Sequence, residues 1–571
     1  MRFVAVAIDF DGTLAMNGRV APATLAAVER LLSSGRKFII VTGRLLQELL
    51  DLFPQAALCS RIVAENGAVL YHPATRERRL LGGVVPGPLV EALRRKGIPF
   101  QQGEAILATV RPHEVAALEA IRDLGLAHHV VFNRGSVMVL PPGVTKASGL
   151  QAALDDLQLS AHNVVGIGDS ENDHALLQVA ELAVAVSGAV PTLREAADVV
   201  TPEDNGLGAG WFLSALVDDD AAQQAAAVTR RDVLLGSRAD GTELRIPPVG
   251  SNLLIAGTSG SGKSTLAHGL LERLSDGGYQ ICIIDPEGDY ASVDQVIVFG
   301  NAQRGPSIAE VLTALDSPTA QVAVNLVGLP LKDRPAFFSE LLPRIQERQA
   351  QIGRPHRILI DEAHHLMPKK WEPTSELAGH LTGMIFVTVH PEEVSSRVLR
   401  SIDVAVAMGE DPARTLRAYA EQAELAPPTG PWTLDQGEAV IWPVKTGPPG
   451  KFSIAPSRGE RRRHLRKYAE GELPQDRSFY FRGPRGKLNL RAQNLMLFCQ
   501  LADGIDDATW LYHLRRGDYS RWIGEAIKDS ALAEIVREVE SFPSLSAKES
   551  RLRIAQAIEA RYTLPAAGVQ P

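Results

Sequence analysis

The 571-residue sequence is poor in cysteine, and Cys59, Cys282 and Cys499 stand far apart in no pair motif. This argues against a disulfide framework and a thiolate zinc cluster, and it fits a reducing compartment. Aromatic residues make up only 5% of the chain. There is no apolar run of about eighteen residues, so no membrane partner is expected. Positive charge is short as well: 59 Lys and Arg face 67 Asp and Glu, a net charge of -8. The whole molecule is therefore no general polyanion binder, although local patches can differ from the average. Residues 1–14 are apolar over too short a stretch for a signal peptide, and a cytoplasmic protein is expected. What is present is ordinary for a globular enzyme: 45% hydrophobic and 22% charged residues, over a length that suits about three or four domains.

The most specific stretch lies mid-chain. The apolar run Leu253, Leu254, Ile255 leads into Gly257-Thr258-Ser259-Gly260-Ser261-Gly262-Lys263-Ser264-Thr265 and then into a helical pattern. This is the P-loop spacing, in which backbone N–H groups converge on phosphate oxygens, Lys263 reaches the β/γ-phosphates and Ser264 holds Mg²⁺. The phosphates of ATP would sit at the positive end of the helix dipole. Two further buried strands end in acids, one at Asp285-Pro-Glu-Gly-Asp289-Tyr290 and one at Asp361-Glu362-Ala-His-His365. Asp361 is expected to hold the magnesium through water and Glu362 to polarise the attacking water, the division of labour that hydrolysis requires.

A second phosphate chemistry is written at the start of the chain. Residues 3–8 read as a buried strand ending in Asp9-Phe-Asp11-Gly12-Thr13. Residues two apart on an extended backbone face the same way, so Asp9 and Asp11 can address one substrate while Gly12 lets the chain turn away. Two aligned carboxylates suit covalent phosphoryl transfer, one as nucleophile and the other as acid, then base.

This DxDGT strand end resembles the signature of the haloacid dehalogenase superfamily of Mg²⁺-dependent phosphohydrolases, and the remaining motifs follow in order: Thr42-Gly43-Arg44, Lys146, and Gly168-Asp169-Ser-Glu-Asn172-Asp173. The resemblance implies an aspartyl-phosphate on Asp9, with Asp11 as acid/base. It implies phosphate binding by Gly12, Thr42, Gly43, Lys146 and Asn172. Mg²⁺ would be held by Asp9, Asp169 and the backbone carbonyl of Asp11, with Asp173 close by. Residues 83–140 resemble the small α/β cap of the Cof and phosphoglycolate-phosphatase type, which selects small phosphorylated substrates. The P-loop, DPEGDY and DEAHHL together resemble the HerA/FtsK ring-forming ATPases over residues 233–444. That likeness implies a homo-oligomeric ring, commonly of six, coupled to DNA or another polymer. The family's γ-phosphate-sensing glutamine is replaced by His390, and Arg397 and Arg400 are candidates for an arginine finger.

The expected fold is α/β and multidomain. A Rossmann-like phosphatase core (1–82 and 141–215) carries a cap (83–140); a linker (216–230), a RecA-like P-loop core (231–455), a basic linker (456–490) and a mainly helical module (491–571) follow. In the basic stretch, arginines interleave with Phe479, Tyr480 and Phe481, residue types that can bind phosphodiester backbones and stack on bases. A bifunctional phosphatase and ATPase is the expected function. The alternatives are nucleic-acid end processing of the polynucleotide kinase-phosphatase kind, or a regulatory, scaffolding ATPase with a metabolite-sensing phosphatase domain.

Overall fold

The computed structural model describes all residues except 227, 291–292, 294, 372–380, 458–472, 474–477, 485, 487, 528 and 563–571. They divide into two compact units, residues 1–455 and 456–571.

The first unit opens with strands β1 (Ala5–Ile8), β2 (Lys37–Val41), β3 (Arg61–Ala64), β4 (Val69–His72) and β5 (Glu77–Leu80). A separate small sheet follows, formed by β6 (Gln101–Gln102), β7 (Leu107–Val110), β8 (His129–Asn133) and β9 (Ser136–Leu140) in the order β6-β7-β9-β8. Strands β10 (Val164–Gly168), β11 (Leu182–Ala185) and β12 (Val199–Val200) then return to the first sheet, whose order is β12-β11-β10-β1-β2-β3-β4-β5. Strands β1 to β3 and β10 to β12 pair in parallel. Parallel strands must be covered on both faces, and β1 and β10 are buried end to end. In such a sheet the functional side chains gather where the strands end. The small sheet packs against helices Gly87–Arg95 and Glu114–Asp123 through Leu89, Leu93, Leu107, Ile121 and Val139. The elements of residues 87–140 follow one another as helix, strand, strand, helix, strand, strand.

The second sheet is built from β13 (Val233–Ser237), β14 (Glu243–Ile246), β15 (Leu253–Gly257), β16 (Ile281–Asp285), β17 (Val296–Phe299), β18 (Gln321–Asn325), β19 (Arg357–Ile360), β20 (Met384–Thr388), β21 (Val404–Met408), β22 (Glu438–Pro443) and β23 (Gly450–Ile454). Its order is β14-β13-β23-β22-β21-β15-β20-β19-β16-β18-β17. The strands from β21 to β17 run parallel, and those from β14 to β22 form an antiparallel flank. The P-loop strand β15 thus lies centrally, one strand away from β19.

The stretch 216–230, expected as a linker, is not an open tether. A helix runs from Asn205 to Asp219 and a short one from Ala222 to Ala225. Ala221 and Ala225 are buried in the phosphatase core, and the Asp220 carboxylate accepts from Arg36 Nη2 at 2.8 Å. An alanine-rich run reads as flexible only until its small side chains find a surface to pack on.

The phosphatase and P-loop layers meet at a buried polar junction. Glu181 accepts from Arg2 Nη2 (2.8 Å) and Tyr279 Oη (3.0 Å), and lies 2.8 Å from His162 Nδ1. His162 Nε2 in turn lies 2.6 Å from the Gly277 carbonyl, and its ring stacks on Tyr279 at 3.8 Å. Asn163 donates to the Gly353 carbonyl at 3.1 Å, and its Oδ1 lies 3.2 Å from His356 Nε2. Burial alone would raise the Glu181 pKa, but His162 and Arg2 outweigh it and hold the carboxyl at about 2 against an ordinary 4.5. The difference is worth roughly 3 kcal/mol of stability. It is fully present above pH 4.5 and is lost as the pH falls toward 2. Glu181→Gln should therefore cost about 3 kcal/mol in denaturant unfolding at pH 7. The gap from wild type should close on acidification through that window; a constant gap would mean that charge is not the cause.

The second unit holds an aromatic core. Strands β24 (Phe479–Phe481) and β25 (Leu490–Ala492) pair antiparallel. Phe479 and Phe481 pack on Phe498, Tyr519 and His513. This corrects the reading of the basic stretch: Phe479 and Phe481 are core residues with no face free for bases, and Tyr480 stacks under the Arg482 guanidinium at 5.5 Å. Arg458, Arg461, Arg462, Arg463, Arg466, Lys467, Arg477, Arg485 and Lys487 lie outside the described residues. Helices from Leu495 to Tyr562 supply the rest, as expected. No helix among the described residues is long and apolar enough to cross a membrane.

Candidate active sites

At the C-terminal edge of the first sheet, Asp9 follows β1 and Asp169 follows β10, with Asp173 one turn further on. Ligand atoms of these three buried carboxylates lie within 4.8 Å of one another. Lys146 enters between them: its Nζ donates to Asp9 Oδ1 and Asp173 Oδ1, both at 2.6 Å. Lys146 is the first residue of helix Lys146–Leu157, whose start is fixed by a capping box between Thr145 and Ser148. Asp173 is oriented by the amides of Asp169 and Ser170, which donate to its Oδ2 at 3.0 and 2.9 Å. Gly12 has φ +82°, and a Cβ there would fall 2.4 Å from Asp169 Oδ2, so only glycine lets the chain pass this close.

Burial raises the Asp9 pKa well above the ordinary carboxylate value; Lys146 opposes this, while Asp173 and Asp169 reinforce it. Asp169 is raised too, by burial first and Asp173 second. For Lys146, burial opposes the charge, but the Asp173 and Asp9 carboxylates overcome it and hold the amine protonated above its ordinary value. Three desolvated carboxylates around one lysine fit a hard divalent cation with oxygen ligands, which would relieve their mutual repulsion.

The Asp11 carboxylate stands outside this cluster. Arg44 clamps it with both ends of its fork, Nε to Oδ2 at 2.5 Å and Nη2 to Oδ1 at 2.7 Å. Thr42 is buried beside it, its hydroxyl accepting the Arg44 amide at 3.1 Å. Asn172 donates to Asn66 Oδ1 at 2.8 Å, and its own Oδ1 is buried with no hydrogen-bond partner among the described residues. A cavity of about 290 Å³ adjoins Lys146 and Asn172, walled by Asn66 and His174 of the core and Val131 and Leu140 of the cap. Sequence reasoning missed Arg134, which the cap brings to the Asp169 carboxylate. Asn133-Arg134-Gly135-Ser136 shows in the sequence as a hairpin turn between two β-rich runs, which locates the turn but not its contact with Asp169.

At the edge of the second sheet, Gly257 ends β15; a Cβ there would lie 2.4 Å from the Met408 carbonyl of the neighbouring strand. Lys263 heads helix Lys263–Asp276 and donates to the Thr258 carbonyl at 3.0 Å. Burial lowers its pKa, and the charges of Glu362 and Asp361 partly offset this. The buried Ser261 Oγ has no hydrogen-bond partner among the described residues, as expected of a cradle shaped for a phosphate. Asp361 accepts the Glu362 amide at 2.9 Å, and burial pushes its pKa up to about 7. Glu362 sits in the left-handed region (φ 41°); its pKa is raised by burial and then by Glu287.

His390 closes this group at one remove. Its ring meets His364 edge-on at 5.4 Å, and His364 Nδ1 lies 3.0 Å from Thr388 Oγ1 and 3.4 Å from Glu362 Oε2. Burial lowers the His364 pKa to about 4. The Asp285 carboxylate is spent on its own turn, accepting the amides of Gly288, Asp289 and Tyr290. Arg397 and Arg400 are exposed, and Arg400 pairs with Glu424; neither joins the site of its own chain.

The comparisons agree with both layers. A haloacid dehalogenase-like hydrolase model matches residues 6–79 and 104–213, and a helicase HerA central-domain model matches residues 240–355. A phosphoglycolate phosphatase of Haloarcula marismortui is 33% identical over 218 residues, 37% of this chain and 94% of that protein. One of Methanothermobacter thermautotrophicus is 31% identical over 215 residues, 36% of this chain and 94% of that protein. Phosphoglycolate phosphatase 2 of Saccharolobus solfataricus is 28% identical over 235 residues, 39% of this chain and 95% of that protein. The chain belongs to the haloacid dehalogenase-like hydrolases through its N-terminal part and carries a HerA-type domain in the same polypeptide.

Proposed function

We propose that the chain is a bifunctional enzyme, an Mg²⁺-dependent phosphatase acting on a small phosphorylated substrate and an ATPase. The observation that carries the first half is the convergence of Asp9, Asp169 and Asp173 on Lys146 at buried strand ends. Lys146 holds one oxygen of Asp9 and leaves the other to attack phosphorus. Asp11, oriented by Arg44, gives a proton to the departing ester oxygen and later takes one from the water that releases phosphate from Asp9. Thr42, Gly43, Gly12 and Asn172 line the phosphoryl group. In the ATPase, the amides of residues 257–265 and Lys263 hold the nucleotide phosphates, Glu362 orients water, and His390 reads the γ-phosphate through the His364–Thr388 contact. Bound Mg²⁺ would neutralise phosphoryl charge at both sites, held by Asp9, Asp169 and the Asp11 carbonyl in one and by Ser264 and Asp361 in the other.

The cap supports a small substrate over a nucleic-acid end, since its hairpin reaches the carboxylate cluster. The relatives carry the name phosphoglycolate phosphatase, which makes 2-phosphoglycolate the first compound to test. A homo-oligomeric ring acting on DNA, with Arg397 or Arg400 serving a neighbour, remains part of the proposal and rests on the HerA likeness. We expect 2-phosphoglycolate hydrolysis with Mg²⁺ and none with a chelator, together with ATP hydrolysis that does not depend on the phosphatase substrate. Phosphorylation of 5′-hydroxyl DNA ends by the same preparation would refute the reading.

A further inference from the structure

Directly after β3 the chain turns through Glu65 and Asn66, two neighbours in the left-handed region at φ 53° and 54°. This conformation is uncommon away from glycine, and two in a row need outside support. Both residues are buried, at 2% and 1% exposure. Their amides donate to the carbonyls of Arg44 and Thr42, at 2.9 and 3.0 Å, which ties the turn to the Thr42-Gly43-Arg44 loop. The Glu65 side chain reaches the cap instead. Its Oε1 accepts the Glu104 amide at 3.1 Å and its Oε2 the Ala105 amide at 2.9 Å, in the turn between β6 and β7. A Cβ on Gly103 would fall 2.5 Å from Oε2, so the cap turn is seated on this carboxylate. The Asn66 side chain faces both ways: Oδ1 accepts from Asn172 Nδ2 at 2.8 Å, and Nδ2 lies 2.6 Å from Met138 Sδ on cap strand β9.

The Asn172 amide is turned the wrong way for a phosphate. A phosphoryl oxygen offers lone pairs and takes a donor, yet Asn172 gives its Nδ2 to Asn66, and its buried Oδ1 has no partner among the described residues. The donor of Asn66 rests on a thioether, a weak acceptor. If both amides turn over, Asn66 Nδ2 donates to Asn172 Oδ1 and Asn172 Nδ2 is released. Met138, on an unbranched side chain, yields to the Asn66 oxygen by rotation. A weak contact is thereby exchanged for a charge-assisted hydrogen bond to phosphate. Both asparagines wall the cavity beside Lys146, where that group would lie. Resting on the phosphatase reading above, we propose that Asn66 is a positioning residue of the phosphatase, which turns the Asn172 amide toward the phosphoryl group and is itself held in place by the cap seated on Glu65.

The test uses the full-length chain with Mg²⁺, inorganic phosphate as the calorimetric probe and 2-phosphoglycolate as the substrate. Asn66→Gly suits the left-handed turn and removes the amide. It should weaken phosphate binding by about 10- to 100-fold, as the loss of one charge-assisted hydrogen bond does, and raise KM in proportion. In an Asn172→Ala background the same substitution should cost about twofold or less, because Asn66 acts through Asn172. Asn66→Asp also suits the turn but can only accept, so it pins Asn172 Nδ2 and should lose at least as much as Asn66→Gly. Glu65→Gln leaves one cap amide without its acceptor: hydrogen exchange across residues 103–105 should quicken, and phosphate affinity should fall with it, by less than in Asn66→Gly. Additive losses in the double variant, unchanged phosphate affinity in Asn66→Gly, a smaller loss in Asn66→Asp than in Asn66→Gly, or faster exchange in Glu65→Gln at unchanged phosphate affinity each overturn the proposal and leave the phosphatase reading intact. A wild type that neither binds phosphate nor hydrolyses 2-phosphoglycolate overturns that reading, and the proposal falls with it.

Discussion

Asp9→Asn is expected to lower phosphatase turnover by about 10³-fold or more while ATP hydrolysis continues. The amide keeps the shape of the side chain but is a poor nucleophile toward phosphorus. It also removes one of the buried negative charges that face Lys146, so the fold should tolerate the change: the variant relieves repulsion from Asp169 and Asp173 and forfeits one ion pair. Steady-state phosphate release from 2-phosphoglycolate, run beside ATP hydrolysis on the same sample, separates the two activities. If turnover persists within tenfold of wild type, another residue is the nucleophile.

Lys263→Ala is expected to act in the opposite sense, reducing ATP hydrolysis by about 10³-fold with phosphatase turnover maintained. Its amine is already partly desolvated, donates to a loop carbonyl and feels the field of Asp361 and Glu362. A group held this way gives up little water when phosphates arrive and interacts strongly with their charge. Removing it costs both nucleotide affinity and the charge that faces the γ-phosphoryl. Loss of both activities in either variant would mean that the two sites are not independent.

The two sites differ in how much of each could be read from the chain. Asp9, Asp169 and Asp361 were legible because each closes a short apolar run, and in a parallel sheet a run that ends in an acid places that acid at the working edge. Lys146 and Lys263 were legible by spacing within motifs. Arg134 was not, because its approach to Asp169 depends on how a separate small sheet folds over the core, which no local pattern encodes. Phe479 and Phe481 were misread for a local reason: the period-two burial of Phe479-Tyr480-Phe481 is that of a strand, and the neighbouring arginines concealed it. The junction residues His162, Glu181, Tyr279 and His356 are isolated letters whose meeting depends on the docking of two layers.

That junction has a practical meaning for dissecting the protein. The relatives are almost fully covered by the N-terminal third of this chain and are phosphatases of that size, which suggests cutting the polypeptide near residue 230 to obtain each activity alone. The cut would strip Glu181 of Tyr279 and His162 of the Gly277 carbonyl, and it would leave His356 without Asn163. Each fragment would expose to water a face, part polar and part aromatic, that the other layer had covered. Single-site inactivation within the intact polypeptide, rather than excision, is the way to assign each reaction.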